Sequence, residues 1–174
     1  ILRNANHMTK IVNDLLSLAR LEGGRKLPEV VEVEAASALG QARKECAHLE
    51  GAEDFDLVSR IPEQGVKVYA DYEGLSQVFR NLIENAMKYG RPEDGGKGKV
   101  TVWHEFQGDE CVFAVRDEGP GIPRDKCERI FERFYRVDKH RSRNSGSSGL
   151  GLAITKHIMD KMGGRIWVDS PVMG

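Results

Sequence analysis

Cysteine is scarce in this 174-residue chain: Cys46, Cys111 and Cys127 stand far apart, with no C-x-x-C pair among them. Such spacing argues against a disulfide framework or a cysteine-based zinc site and suits a reducing cytoplasm. The five histidines are scattered as well, so no metal cluster can be read from spacing. Long apolar runs are missing: none approaches the roughly 20 residues of a membrane span. Arg3, Asn4 and Asn6 interrupt the opening stretch, which therefore does not read as a signal peptide. Neither sign of charge dominates, with 26 basic against 27 acidic residues. A net charge near zero gives no bulk attraction to nucleic acid or to an anionic membrane, and contact with neither is expected. There are no internal repeats. The length allows one domain with a substantial core and an appendage.

What is present begins with "ILRNANHMTKIVNDLLSLARLE", where Ile1, Ala5, Met8, Val12, Leu15 and Ala19 recur at alternating steps of four and three. That is a helical seam wanting partners. Ile11, Leu16 and Leu18 widen its apolar face towards that of a bundle. Gly23, Gly24 and Pro28 mark a hinge or domain boundary. Strands are expected at "EVVEVE", "FDLVSRI", "VKVYA", "KVTVWHEF", "CVFAVRD" and "RIWVDS". Turn residues Pro62 to Gly65 join the second and third. Helices are expected from Ala35 to Gly51, over 72–89 with Asp71 as N-cap, near "RDKCERIF", and over 150–162. Hairpins mixed with helices imply an α+β fold, a two-layer sandwich with a mixed sheet and helices on one face.

Three segments carry the chemistry. In "NLIENAMKYG" (81–90), Asn81, Glu84, Asn85 and Lys88 share one helix face, about 100° wide. Leu75, Val78, Phe79, Leu82, Ile83, Ala86 and Tyr89 lie opposite. Asparagine is a mediocre helix former, so two of them a turn apart need a reason beyond solvation. "DEGPGIP" follows a strand with Gly119 and Gly121 one residue apart, which lets backbone approach something closely. "GSSGLGLAI" (146–154) opens a helix with glycines, and free N–H groups at such a start receive anions. Other phosphate motifs fail: Gly96 stands where a Walker A lysine belongs, and Arg124 and Ile154 spoil two dinucleotide fingerprints. "HRS" (140–142) is not the H-R-D of protein kinases.

In this order, the segments resemble the N, G1, F ("IFERFYRVD") and G2 boxes of sensor histidine kinases, whose catalytic domain has the Bergerat ATP-binding fold. "FYRVDKHRSR" resembles the lid of phosphate-regulon-type sensors. The resemblance implies ATP and Mg²⁺ as ligands, with Asn85 giving its carboxamide oxygen to the metal. It implies that Asn81 lines the phosphate region, that Lys88 faces the phosphates, and that Glu84 positions the attacking group. Asp117 would accept the adenine amino proton, with Gly119 and Gly121 admitting the base, Ile122 walling it and Tyr89 stacking near it. Segment 132–148 would form a basic lid (Arg133, Arg136, Lys139, His140, Arg141, Arg143), with Arg136 at the γ-phosphate. Ser148, Gly149, Leu150 and Gly151 would receive phosphate oxygens; Ser148 replaces the family's usual threonine, and Ser147 stands where glycine is frequent.

The acceptor motif of such kinases, similar to H-E-x-x-x-P, does not occur here, and His7 sits in what resembles the second hairpin helix. His48, His104, His140 and His157 are expected to be structural or solvated. The resemblance therefore implies residues 1–24 as half of a dimerisation hairpin and 25–174 as a catalytic domain short of its last strand. It implies as partners the chain's own hairpin, within a homodimer, and a response-regulator receiver domain. The expected location is the cytoplasm, with the full-length protein anchored in the bacterial inner membrane. A gyrase- or chaperone-type ATPase would lack the F box and the first helix. A non-catalytic nucleotide-binding adaptor would lose the metal or adenine residues, yet Asn85 and Asp117 are both in place.

Overall fold

The computed structural model describes residues 2–23, 29–92, 94–137 and 148–170. Its elements are α1 (Leu2–Glu22), β1 (Val31–Glu34), α2 (Ala35–Cys46), β2 (Phe55–Ser59), β3 (Lys67–Ala70), α3 (Tyr72–Tyr89), β4 (Gly98–Gln107), β5 (Glu110–Arg116) and α4 (Gly151–Lys161), with short 3₁₀ turns between. The chain divides into two compact units, residues 29–121 and residues 1–28 with 122–174.

In the first unit α3 is the central element. Asp71 caps it: its Oδ1 accepts from Gly74 N at 2.7 Å, and its Oδ2 accepts from Glu29 N at 3.0 Å. Such a cap satisfies donors that the first turn leaves open. Leu75, Val78, Phe79, Ile83 and Ala86 form the buried stripe, and the helix packs on α2, β4 and β5. The Phe79 ring meets that of Phe113 edge-on, with centroids 5.2 Å apart. Ala86 and Met87 meet Phe55, Leu57, Val100 and Val115 of the sheet. Val100 and Val102 are fully buried, while Lys99, Thr101 and Trp103 alternate onto the other face of β4.

β1 pairs antiparallel with β3, β2 parallel with β4, and β4 antiparallel with β5. This mixed pairing, with helices packed on it, is the expected α+β arrangement. β2 and β3 do not pair with each other, although only a turn joins them. Alternating hydrophobicity tells which faces a strand has and is silent about its neighbour. α2 stops at Cys46, short of the expected Gly51, because Ala47, His48 and Glu50 are exposed and no packed face supports further turns.

In the second unit α1 and α4 pack together, with the 3₁₀ turn Arg129–Phe131 against α4. Leu18, Ile130, Leu150, Ile154 and Ile158 are buried there. Each such side chain contributes about 1.5–3 kcal/mol relative to exposure. Met8, Val12 and Leu15, three of the predicted seam residues, are 66%, 52% and 42% exposed. "RDKCERIF" forms two separate 3₁₀ turns rather than one helix. Residues 165–170 keep the period-2 exposure of a strand but join no ladder among the described residues. Gly24 and Pro28 of the expected hinge, and Lys139, His140, Arg141, Arg143, Gly146 and Ser147 of the expected lid and G2 segment, lie outside the described residues. Among the described residues, no helix is long and apolar enough to cross a membrane.

Candidate functional site

The polar face of α3 is not a solvated one. Asn81 and Glu84 are only 7% and 8% exposed, and Asn85 and Lys88 are half-buried. Lys88 Nζ donates to Glu84 Oε1 at 2.6 Å. A carboxylate this far from water is costly unless a cation and hydrogen bonds meet it, and Lys88 one turn on supplies the cation. The face thus presents an amide, a charge pair and a second amide within two helical turns.

This face runs to a helix end pressed against the turn after β5. Gly90, the C-cap of α3, has no room for a side chain: a Cβ there would lie 2.3 Å from Ala86 O and 2.3 Å from Asp117 Cβ. A Cβ on Gly119 would lie 2.4 Å from Tyr89 O and 2.8 Å from Gly90 Cα. The turn holds its shape because Asp117 Oδ1 accepts from Gly119 N at 2.9 Å, an Asx-turn. Asp117 itself is exposed. Tyr89, expected on the apolar side of α3, is also exposed, because it is the last helical residue. Gly121 has φ +78°, a conformation that favours glycine. One unit therefore brings together Asn81, Glu84, Asn85, Lys88, Tyr89, Asp117 and Gly119, and Gly121 ends the same loop.

The remaining sequence-predicted residues belong to the other unit. Ile122 is half-buried, and its N–H donates to Ser170 Oγ at 2.6 Å. Arg136 is half-buried. Ser148 Oγ donates to Asp14 Oδ2 on α1 at 2.6 Å and accepts from Leu150 N at 3.2 Å. Gly149 sits at φ +71° with the Phe134 backbone alongside. Leu150 is fully buried, so its side chain is closed to any ligand, and Gly151 begins α4.

Sequence reasoning missed three residues. Gly90 looks like an ordinary helix C-cap, which hides its contact with Asp117. Asp14 looks like one more polar residue of α1. Phe134, at φ +62°, is the one described non-glycine residue in left-handed backbone, and no local signal announces that. Among the described residues, no three His, Cys, Asp or Glu side chains cluster as a metal cage would require.

Comparison with known proteins gives the same frame. Residues 70–174 match the model of the "Histidine kinase-, DNA gyrase B-, and HSP90-like ATPase" family. The chain is 39% identical over 168 residues to the sensor protein kinase WalK of Staphylococcus epidermidis, covering 94% of this chain and 26% of that protein. It thus spans about a quarter of the length of the curated relatives it matches. Among solved structures it is similar to the mycobacterial sensor histidine kinase MprB, at 28% identity and TM-score 0.62, covering 80% of this chain and 85% of that one. It is also similar to full-length ShkA in complex with AMPPNP, at 25% identity and TM-score 0.70, covering 96% of this chain and 35% of that one.

Proposed function

This chain belongs to the histidine kinase-, DNA gyrase B- and HSP90-like ATPase family, with the ATP-binding domain of a sensor histidine kinase, and from that premise we propose that it transfers the γ-phosphoryl group of ATP to a histidine. The acceptor stands on a dimerisation hairpin, and the group passes on to an aspartate of a response-regulator receiver domain. The observation that carries this reading is the α3 face: Asn81 and Glu84 are buried polar side chains beside the half-buried Asn85 and Lys88, and the helix runs directly into the Asp117–Gly119 turn.

Each residue then has a task that its chemistry allows. Asp117, an acceptor through both oxygens, accepts a hydrogen bond from the adenine amino group and rejects a base that offers an acceptor there. Tyr89 gives the base an exposed ring, Gly119 and Gly121 give it backbone rather than side chains, and Ile122 walls it. Lys88 brings a point charge to the phosphates, and Asn81 lines their path. Glu84, its charge balanced by Lys88, orients the attacking imidazole. Arg136 neutralises charge on the γ-phosphate. Ser148, Gly149, Leu150 and Gly151 offer phosphate oxygens the backbone N–H groups at the start of α4.

The donor set also fits a magnesium ion. With no carboxylate cage among the described residues, one amide oxygen, that of Asn85, would hold a hard ion that takes its other ligands from phosphates and water. The ion would neutralise phosphate charge during transfer. Most of the barrier is lowered by positioning and charge neutralisation, which is the work of rigid elements such as α3.

Residues 1–24 are read as the second helix of the dimerisation hairpin and 25–174 as the catalytic domain. The exposed seam of Met8, Val12 and Leu15 supports a helix completed by others. The catalytic domain works in the cytoplasm, within a longer homodimeric protein anchored in the bacterial inner membrane. Incubation with radiolabelled ATP tests the reading. The chain alone should bind ATP without labelling itself, and should slowly label a separately supplied hairpin that carries the acceptor histidine. Acid-labile label on this chain, lost on mutating His7 or His140, or no transfer to any hairpin, would refute it.

A further inference from the structure

The face of the sheet turned away from α3 carries a second constellation, built of residues to which the kinase reading gives no role. Arg60, Lys99, Thr101, Trp103, Arg116 and Glu118 line an open cavity of about 300 Å³. The strand register explains why they converge. On β4, Lys99, Thr101 and Trp103 share the face opposite the buried Val100 and Val102. Arg116 of β5 stands directly across from Thr101. Val58 of β2 also stands across from Thr101, and Arg60, two residues on, reaches the level of Trp103 on the same face. Arg60 N donates to Val102 O at 2.8 Å, which holds the chain beside β4 at that point.

The cavity's charges are unbalanced. Three cations face one carboxylate, Glu118, and among the described residues none of the three forms an ion pair. Asp56 lies across β2 and β4 from Lys99, but its carboxylate is engaged by Lys97 Nζ at 2.6 Å. Trp103 has already given its one donor to Glu105 Oε1 at 3.1 Å, so the indole offers a ligand apolar surface alone. Cations around an indole on an exposed sheet face suit an anion with an apolar body. Arg116 belongs to β5 and Arg60 follows directly on β2, the two strands flanking β4. With the two-residue offset along the strands, they stand about 12 Å apart at the backbone. Carboxylates four residues apart in an extended chain share one face and lie about 13 Å apart, which matches that span, whereas one small anion would engage one guanidinium and leave most of its surface in water.

We propose that this cradle docks an acidic, extended peptide segment of a protein partner. Its carboxylates, at the first and fifth positions, meet Arg60 and Arg116 in bidentate pairs, and an apolar side chain at the third position, on the same face, lies on Trp103. The cradle adjoins the Asp117–Gly119 turn through Arg116 and Glu118, but Arg60, Arg116 and Trp103 have no part in the proposed nucleotide site, so docking and ATP binding can be read separately in variants of these residues.

The test uses the whole 174-residue chain and the short synthetic peptide Ser-Glu-Ser-Phe-Ser-Glu-Ser, which puts both Glu and the Phe on one face of an extended chain, with Gln in place of Glu as control. NMR follows the two indole N–H resonances, assigned with Trp103→Phe. The acidic peptide should shift the Trp103 resonance saturably and more weakly as salt rises. Arg60→Glu with Arg116→Glu should weaken binding by about tenfold or more, while ATP affinity and melting temperature stay as in the wild type. Should the charge reversal lower the melting temperature, Arg60→Gln with Arg116→Gln reads the same loss. The proposal fails if the acidic peptide does not bind, if the Gln peptide binds as well, or if the arginine variants bind undiminished. It fails equally if inorganic phosphate shifts the Trp103 resonance with the peptide's affinity, which would make the cradle a small-anion site.

Discussion

Phe134 N donates to the carbonyl of Gly149 at 2.9 Å, and both residues lie in left-handed backbone, at φ 62° and 71°. A phenylalanine in that region costs about 1–3 kcal/mol, so the surrounding structure must hold it there. Gly149 can lie alongside because it has no side chain: a Cβ would come within 3.0 Å of the Phe134 Cα and carbonyl carbon. Gly149→Ala should therefore destabilise the chain by about 1–3 kcal/mol and loosen the start of α4. Urea denaturation and hydrogen exchange across 148–154 would register both; an unchanged midpoint would show that the pairing is incidental.

The contact between the end of α3 and the Asp117 turn gives a sharper test, because the obstructing atoms are backbone. Gly119→Ala would drive a Cβ to 2.4 Å from Tyr89 O, and should cost about 1–3 kcal/mol and ATP affinity together. Gly40→Ala is the control. It lies inside α2 with nothing within 4 Å of the added methyl, and should stabilise by about 0.5–1 kcal/mol.

Asp71→Ala removes a cap that accepts from both Gly74 N and Glu29 N. A loss of about 1–2 kcal/mol in urea titration is expected. The loss should exceed that of a simple N-cap, since Glu29 N also loses its acceptor.

Asp117→Asn should weaken ATP binding by about 1.5–3 kcal/mol, as the acceptor we propose for the adenine amino group becomes in part a donor. The amide oxygen can still accept from Gly119 N, so the turn and the melting temperature should survive. Equal calorimetric affinities for ATP would remove Asp117 from the site. Asn85→Ala makes the complementary case: alanine suits a helix better, so folding should hold while Mg²⁺-dependent phosphoryl transfer in the full-length kinase falls.

Burial pushes the Cys111 thiol above its ordinary range, because desolvation disfavours the thiolate. The folded pKa exceeds the unfolded one, so this contribution to stability is complete below the unfolded value and is lost as pH rises through the folded value. Iodoacetamide at pH 8 should accordingly modify Cys111 more slowly in the folded chain than in urea, as peptide mass mapping can measure.

How much of this was legible from residues alone differs from element to element. The limits of α3 were written locally, in Asp71 as cap and in the spacing of its buried stripe, and the observed helix keeps them. Its polar face was legible as unusual because two asparagines defy helix propensity. The glycines at 119, 121 and 149 were legible too, since an absent side chain is itself a local signal. These are properties of neighbours in sequence, and the sequence by itself determined them.

Tertiary structure decided the rest, because each remaining feature depends on residues far apart in the chain. "FDLVSRI" and "VKVYA" have the same period and one short turn between them, yet their partners are β4 and β1. "RIWVDS" alternates like a strand but joins no ladder among the described residues, for a strand exists only with a partner. Gly90 became indispensable once Asp117 packed onto it, 27 residues on, and Asp14 mattered only when Ser148 donated to it. The burial of Asn81 and Glu84 likewise depends on tertiary packing, since α3 is held by α2, β4 and β5.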